Sequence, residues 1–317
     1  MLRYALRRVP SALLVLLIAS VLVFGILRLA PGDPAVVLAG PDASAATVAH
    51  VRAALGLDSA LPVQYWTWLT GLLTGDLGTS FILGAPITTL IGHGLGNTLE
   101  LTAAALLLAL LGGGVAGVLL GTAHHKGVRA LLGGAVNLAL AVPPYVTGVL
   151  LVLLLSVTFR VLPASGHASL LADPVIGVQY LLLPALCLAL PTGAVLARFL
   201  AASLRKSNQE DYVRTGHGKG LTERRLLTRH TLPGALPPVI TVLGIQIGQL
   251  LGGAIVVEAV FAWPGIGQLL LQAVLGRDYL LVQDLLLFAV GVFVALQTLT
   301  DLVQAGLDPR VRIGGGV

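Results

Sequence analysis

The chain has 317 residues, 56% of them hydrophobic and only 10% charged, with a mean hydropathy of +0.94. An average soluble domain carries roughly 25% charged residues, so no water-facing skin can be built from this composition and the chain reads as a polytopic membrane protein. The net charge of +5 then reports membrane orientation and argues against a nucleic-acid partner, and the single cysteine, Cys187, lies in an apolar run and excludes a disulfide framework or a cysteine metal site.

A spanning helix needs about 20 mainly apolar residues. Six stretches qualify, at 9–30, 97–121, 130–159, 178–200, 237–263 and 280–305. The expected fold class is therefore all-α, with six transmembrane helices. The first stretch follows Arg3, Arg7 and Arg8, as in a secretory signal. It is longer than a signal core and lacks a small-residue cleavage site, so it reads as a retained first helix.

An external segment, 31–96, comes next. Pro31-Gly32-Asp33-Pro34 cannot continue a helix. Asp42 and Ser44 are candidate caps for a short helix ending at Gly56. After Pro62, Tyr65, Trp66 and Trp68 have the composition of an interfacial helix at the headgroups, with a substrate contact as the alternative. Asn97 followed by Glu100 reads as a capping box opening the second span. The third stretch is broken by Pro143-Pro144, which predicts a kink or a gating hinge. Two glycine rows recur every four residues, Gly113, Gly117, Gly121 and Gly244, Gly248, Gly252, a spacing that lets helices pack closely. Gln246 and Gln249 lie off the second row and are candidates for a polar translocation pathway.

With the N-terminus inside, fifteen of the nineteen Lys and Arg residues fall on the cytoplasmic side and only Arg28, Arg52, Arg160 and Arg277 outside. That asymmetry predicts both termini inside. The expected organisation is 1–30 as tail and first span, 31–96 as external segment, and 97–317 as a core holding a long basic cytoplasmic loop, 201–236.

The residues carry no catalytic set. Gly218-Lys219-Gly220 lacks the hydroxyl residue of a phosphate-binding loop. His124-His125 are neighbours in a short turn, and Ser165-Gly166-His167 sits in an external loop without a positioned base in a dry site. No metal or other cofactor is expected, and the chain reads as a non-enzyme. The acidic residues within the apolar stretches, Glu258, Asp284 and Asp301, fall near helix ends, so a coupled-ion pathway at the midplane is not evident. The driving energy is expected to come from another chain.

The cytoplasmic loop holds Asp211-Tyr212-Val213-Arg214-Thr215-Gly216-His217-Gly218-Lys219-Gly220-Leu221 and then Arg229-His230-Thr231-Leu232-Pro233. This resembles the loop of ABC importer permeases, whose pattern is Glu-Ala-Ala, three residues, Gly, nine residues, Ile, one residue, Leu-Pro. Gly220 takes the central Gly, His230 the Ile, and Leu232-Pro233 the close. Arg214-Thr215-Gly216 replaces Glu-Ala-Ala, which resembles the peptide-importer branch with its Arg-Thr-Ala-Arg-Ala-Lys-Gly, from which this chain departs with Gly216 and Gly218 at two of the alanines. Further fragments resemble dipeptide, oligopeptide and nickel permeases: 29–34, 55–58, 62–65, 75–80, 98–101, 162–166, 257–261, 264–267 and 307–310. The resemblance implies a permease subunit of an ATP-binding-cassette importer that moves di- and oligopeptides by alternating access. Nickel or metallophore import is the alternative within the family, and a self-contained secondary carrier the alternative outside it. It also implies the partners: a second homologous permease, two ATPase subunits that hold ATP and Mg, an extracytoplasmic binding protein, and the lipid of a prokaryotic cytoplasmic membrane. The coupling residues it implies are Asp211, Tyr212, Arg214, Thr215, Gly216, Lys219, Gly220, Leu232 and Pro233. Gly220 would allow close backbone approach to the ATPase, and Leu232-Pro233 would end the loop and redirect the chain into the fifth span. The long external segment is that of the first permease of such a pair.

Overall fold

The computed structural model describes residues 2–29, 33–40, 42–54 and 56–307. The motif residues Ala30, Pro31, Gly32, Leu55, Asp308, Pro309 and Arg310 lie outside them. Among the described residues the chain forms thirteen α-helices: α1 Leu2–Leu29, α2 Pro34–Ala39, α3 Ala45–Ala54, α4 Leu61–Thr74, α5 Ile87–Thr122, α6 Lys126–Ala141, α7 Pro144–Leu151, α8 Pro174–Ser207, α9 Asp211–Gly218, α10 Glu223–Leu226, α11 Leu232–Phe261, α12 Ile266–Leu275 and α13 Tyr279–Leu307. π-Helical turns follow α7 at Val152–Thr158 and α10 at Leu227–Thr231. One antiparallel bridge, Thr79 to Pro86, is the only β feature among these residues.

Five helical runs are long and apolar enough to cross a membrane: Val9–Leu29, Ile87–Thr122, Pro174–Ser207, Glu223–Phe261 and Tyr279–Thr300. The expected third span is not one helix. α6 and the run Pro144–Thr158 meet at 108°, so six spans result only if this bent pair is counted as one. Adjacent prolines explain the break. Pro143 is extended (φ −59°, ψ 146°), because the residue before a proline is pushed out of the helical region, and Pro144 can restart a helix at its first position.

The second span also differs from expectation. Asn97 and Glu100 do not open it; α5 starts at Ile87 and runs straight through both. Ile87 and Ile91 are 0% and 6% exposed and pack with Ile266, Leu281 and Leu285. Burying each isoleucine contributes roughly 1.5–3 kcal/mol, which outweighs about 1 kcal/mol lost at each of Gly92, Gly94 and Gly96. Asn97 instead donates from Nδ2 to the Pro264 carbonyl at 2.8 Å. Glu100 is mid-helix, with Oε1 buried and without a hydrogen-bond partner.

By contacts the chain separates into two units, one chiefly Thr98–Trp263 and the other Leu2–Asn97 with Pro264–Thr298. The sequence set 31–96 apart from the first helix; contacts group it with α1, α12 and most of α13.

The Thr98–Trp263 unit is organised on α8. Asp173 caps this helix, accepting from the backbone N–H groups of Val175 and Ile176 at 3.1 Å each. The helix buries residues on every side, from Gly177 to Ser207. α5 lies against it through Gly113, Gly117 and Gly121. Cys187 is a packing residue, fully buried, with its thiol donating to the Pro144 carbonyl at 2.7 Å. Leu181, Leu188, Leu250, Val257, Phe261 and Trp263 complete the main core. His167 packs edge-on against Trp263, with ring centroids 4.6 Å apart, a structural use for the Ser-Gly-His string. Glu258 is fully buried and accepts a hydrogen bond from Thr98 Oγ1 at 2.6 Å.

In the other unit Ser44, not Asp42, caps α3, accepting from Thr47 N–H at 3.1 Å. Asp33 caps α2 and pairs with Arg52. The aromatic residues of α4 make contacts within the chain as well. Tyr65 and Trp68 pack on Phe24 of α1, Tyr65 shares a hydrogen bond with Ser20 at 2.8 Å, and Trp68 Nε1 donates to Asp284 at 2.7 Å. Only Trp66 is strongly exposed, at 64%. Two of the three rings therefore lean on α1, half-buried.

Candidate functional site

The segment expected to be a loop, 201–236, is almost wholly helical. α8 runs to Ser207, a tight turn follows, and α9 begins at Asp211. α9 buries Val213 and Gly216, three residues apart and therefore on one face. Asp211, Tyr212, Arg214, Thr215 and Lys219 are all exposed. An ion pair joins Arg214 to Asp211 at 3.7 Å between exposed side chains, a contact that contributes little to stability.

Gly220 ends α9 by a specific geometry. Its N–H bonds the His217 carbonyl at 2.9 Å, the Leu221 N–H bonds the Gly216 carbonyl at 3.1 Å, and Gly220 has φ +75°. These two bonds with a left-handed glycine make a Schellman cap. A Cβ built on Gly220 meets nothing within 4 Å in this chain, so its intrachain requirement is conformational and not one of space. Gly216, which departs from the alanine of the family pattern, has a packing reason. A Cβ there would lie 2.4 Å from Leu226 Cδ2 and 3.5 Å from Leu221 Cδ1, so the buried Leu226 of α10 sits directly on the α9 backbone. Nothing in the structure explains Gly218.

A second tie fixes α9. Ser207 Oγ bonds the Thr231 carbonyl at 3.2 Å and also the Tyr212 hydroxyl. A carbonyl only accepts, so Ser207 donates to Thr231 and Tyr212 donates to Ser207. Gly234 leaves room for the pair: a Cβ there would stand 3.1 Å from the Tyr212 hydroxyl and 3.2 Å from Ser207 Oγ. The end of α8, the start of α9 and the start of α11 thus meet in one hydrogen-bonded knot. Sequence reading missed it, because Ser207 and Thr231 are 24 residues apart and carry no pattern.

Leu232-Pro233 does not end the segment, contrary to expectation. Helical structure is continuous from Glu223 to Phe261, and Pro233 sits in the first turn of α11, where its missing N–H is tolerated. The π turn just before it, in which Leu232 N–H bonds Leu227 carbonyl five residues back, widens the helix and relieves the proline ring.

Further along α11, Gln246 is only 5% exposed and shares its face with Leu250, Ala254 and Val257, whereas Gln249 is exposed beside Gly252. The two candidate pathway residues therefore point to different surroundings.

Comparison with known proteins gives the family. Residues 113–313 match the family described as binding-protein-dependent transport system inner membrane component, and residues 1–101 match its N-terminal counterpart. The chain belongs to this family. The permease is similar to the glutathione transport system permease protein of Salmonella typhimurium, 38% identical over 98% of this chain and 99% of the other. The probable peptide ABC transporter permease of Sinorhizobium fredii is 35% identical over 98% and 99%. Among solved structures, the inward-facing MetNI methionine ABC transporter superposes with a TM-score of 0.58 at 19% identity, covering 69% of this permease and 96% of that chain, a likeness of fold. This permease is a multi-pass inner-membrane component of an ABC importer, and the family boundary between 101 and 113 falls inside α5.

Proposed function

We propose that this permease imports short peptides and that α9 is the element through which two partner ATPases drive it. The peptide and glutathione permeases among its relatives support the substrate class. The observation that carries the docking role is the one-sided attachment of α9. Val213 and Gly216 hold it to its own chain, while Asp211, Arg214, Thr215 and Lys219 face outward. A capped helix of eight residues, about 12 Å long, is a rigid knob suited to a groove on a soluble partner. The ATPases would hold ATP and Mg, a second homologous permease would complete the membrane pathway, and Gln249, the exposed member of the glutamine pair, would line part of it. An extracytoplasmic binding protein would deliver substrate to the external segment.

Counting α6 with the following helix as one span makes six, an even number that puts both termini on one side. The bias of the basic residues supports the cytoplasm as that side. In a variant lacking Cys187, a cysteine at position 50 is expected to react with an impermeant reagent from outside and one at 217 is not; the reverse pattern defeats this topology.

Gly220→Val tests the docking element. A β-branched residue at φ +75° costs about 1–3 kcal/mol, and this strain falls on the cap and leaves the core untouched. The variant is expected to insert and assemble, with solute-stimulated ATP hydrolysis reduced about tenfold or more. Wild-type stimulation at equal protein level would sink the proposal.

A further inference from the structure

Of the four basic residues on the side read as external, Arg52 is paired with Asp33. Arg28, near the end of α1, and Arg277, in the turn between α12 and α13, line the same cavity of about 520 Å³. That volume is within the roughly 300–1,000 Å³ typical of small-molecule sites. Neither arginine has a carboxylate within ion-pair distance among the described residues. Arg28 lies over the Phe24 ring, 4.9 Å from its centroid, and its Nε is buried with no hydrogen-bond partner. Arg277 is exposed and holds φ +55°, a left-handed conformation that a non-glycine residue adopts only when its surroundings impose it. The next residue imposes it: buried Asp278 caps α13 at Leu281 N–H and accepts from Ser80 Oγ at 2.7 Å.

Two amides complete the lining. Gln283 is 4% exposed and lines the cavity. Gln64 donates to the carbonyls of Leu57 and Ser59, while its Oε1 is buried without a partner. The one lining carboxylate, Asp76, is engaged by Gly78 N–H at 3.1 Å. Trp68 and Tyr279 add aromatic walls. A buried polar group left unsatisfied costs about 1–3 kcal/mol, so the unpartnered Arg28 Nε and Gln64 Oε1 at one cavity mark a place that a polar ligand completes.

We propose that this cavity binds the terminal carboxylate of a short peptide on the external side of the permease. Two guanidinium groups and the Gln283 amide supply donors for a carboxylate, Gln64 Oε1 accepts from a peptide N–H, and the Trp68 and Tyr279 rings flank the adjoining side chain. Carboxylate recognition follows from the cavity; the choice of a peptide rests on the proposed function.

The test uses the full chain in nanodiscs of phosphatidylcholine, with radiolabelled Ala-Phe as probe and its C-terminal amide as comparison. Saturable binding of Ala-Phe is expected, with the amide at least about tenfold weaker, since a hydrogen bond to a charged group contributes roughly 1.5–3 kcal/mol. Arg28→Gln and Arg277→Gln should each weaken binding by a similar factor, and Arg160→Gln should leave it unchanged. Arg277 is exposed, so its variant keeps the fold even if the Arg28 variant does not. Equal binding of acid and amide, or full binding by Arg277→Gln, overturns the proposal. Loss of peptide binding in phosphatidylglycerol discs would also overturn it, assigning the cavity to a lipid phosphate. Uptake of Ala-Phe by cells with and without the chain is measured in parallel. Uptake that does not depend on the chain defeats the importer reading alone, and dependent uptake without binding defeats this site alone.

Discussion

Two glycine rows with identical spacing meet different surroundings. On α5 a Cβ at Gly113 would fall 2.5 Å from the Gly193 carbonyl, at Gly117 2.9 Å from Leu200 Cβ, and at Gly121 3.0 Å from Leu204 Cδ1. In the α11 row only Gly244 is crowded, with Thr300 Cγ2 at 2.6 Å, while Gly248 and Gly252 have nothing within 4 Å. The difference lies in the facing helix. α8 offers its own small residues every fourth position, Gly193, Ala197 and Ala201, so two rows interlock. No such row faces Gly248 and Gly252 within the described residues. A small-residue row permits close approach, and only a complementary row makes it happen.

The largest effect is expected where the neighbour is backbone. In Gly113→Leu the side chain meets the Gly193 carbonyl and Cα, which cannot rotate aside, so α5 and α8 must separate. Overpacking costs about 1–3 kcal/mol where side chains can adjust, and this site belongs at or above the top of that range. Thermal unfolding in detergent and the yield of monodisperse protein measure it. A variant as stable as the parent would show that the α5–α8 contact is not close, and the contrast between the rows would disappear.

Gly216 sharpens the comparison with an intermediate case. Its crowding comes from Leu226 Cδ2 at 2.4 Å, the end of a flexible side chain. Gly216→Ala gains about 1 kcal/mol in helix propensity and loses a similar amount in displacing Leu226, so net stability should change by less than about 1 kcal/mol. Leu226→Ala alone removes a buried leucine and should cost about 2–5 kcal/mol. Combined with Gly216→Ala that loss should shrink, because the added methyl partly fills the gap. A double-mutant cycle with no coupling between the two positions would show that they do not touch.

Much of this was legible beforehand. The spans and the basic bias come from composition and spacing, the loop pattern at 211–233 comes from its resemblance to ABC importer permeases, and the C-terminal glycine of α9 is a readable cap. The start of α5 was not: the Asn97–Glu100 capping signal is a local one, and burial of Ile87 and Ile91 among residues near 266 and 281 overrode it from far along the chain. The contacts of Tyr65 and Trp68 with Phe24 were illegible for the same reason, since they join residues about 40 positions apart. Asp278 was overlooked although an aspartate directly before a long apolar helix is a cap signal. The Ser207–Tyr212–Thr231 knot left no trace at all, because single polar residues that meet across 24 positions have no periodicity to betray them.

The smallest effect on the fold, and the one that separates the rows most cleanly, is expected at Gly248 and Gly252. Alanine there adds a methyl to open space and removes a flexible residue from a helix interior, so the isolated chain should be as stable as the parent or gain up to about 1 kcal/mol per site. Alongside them Ile245, Gln249 and Val256 are exposed, and together they form a face of α11 that the chain itself leaves uncovered. Where the proposed second permease packs a helix on that face, the same methyl groups hold two backbones apart. Gly248→Ala with Gly252→Ala should then lower co-purification with that partner, by up to roughly tenfold for a loss near 1.4 kcal/mol, with no loss of unfolding temperature in the single chain. Destabilisation of the isolated chain would mean that α11 packs on its own neighbours as α5 does. Unchanged pairing and unchanged transport would leave Gly248 and Gly252 without a role in either contact, and the second row would be spacing without a partner.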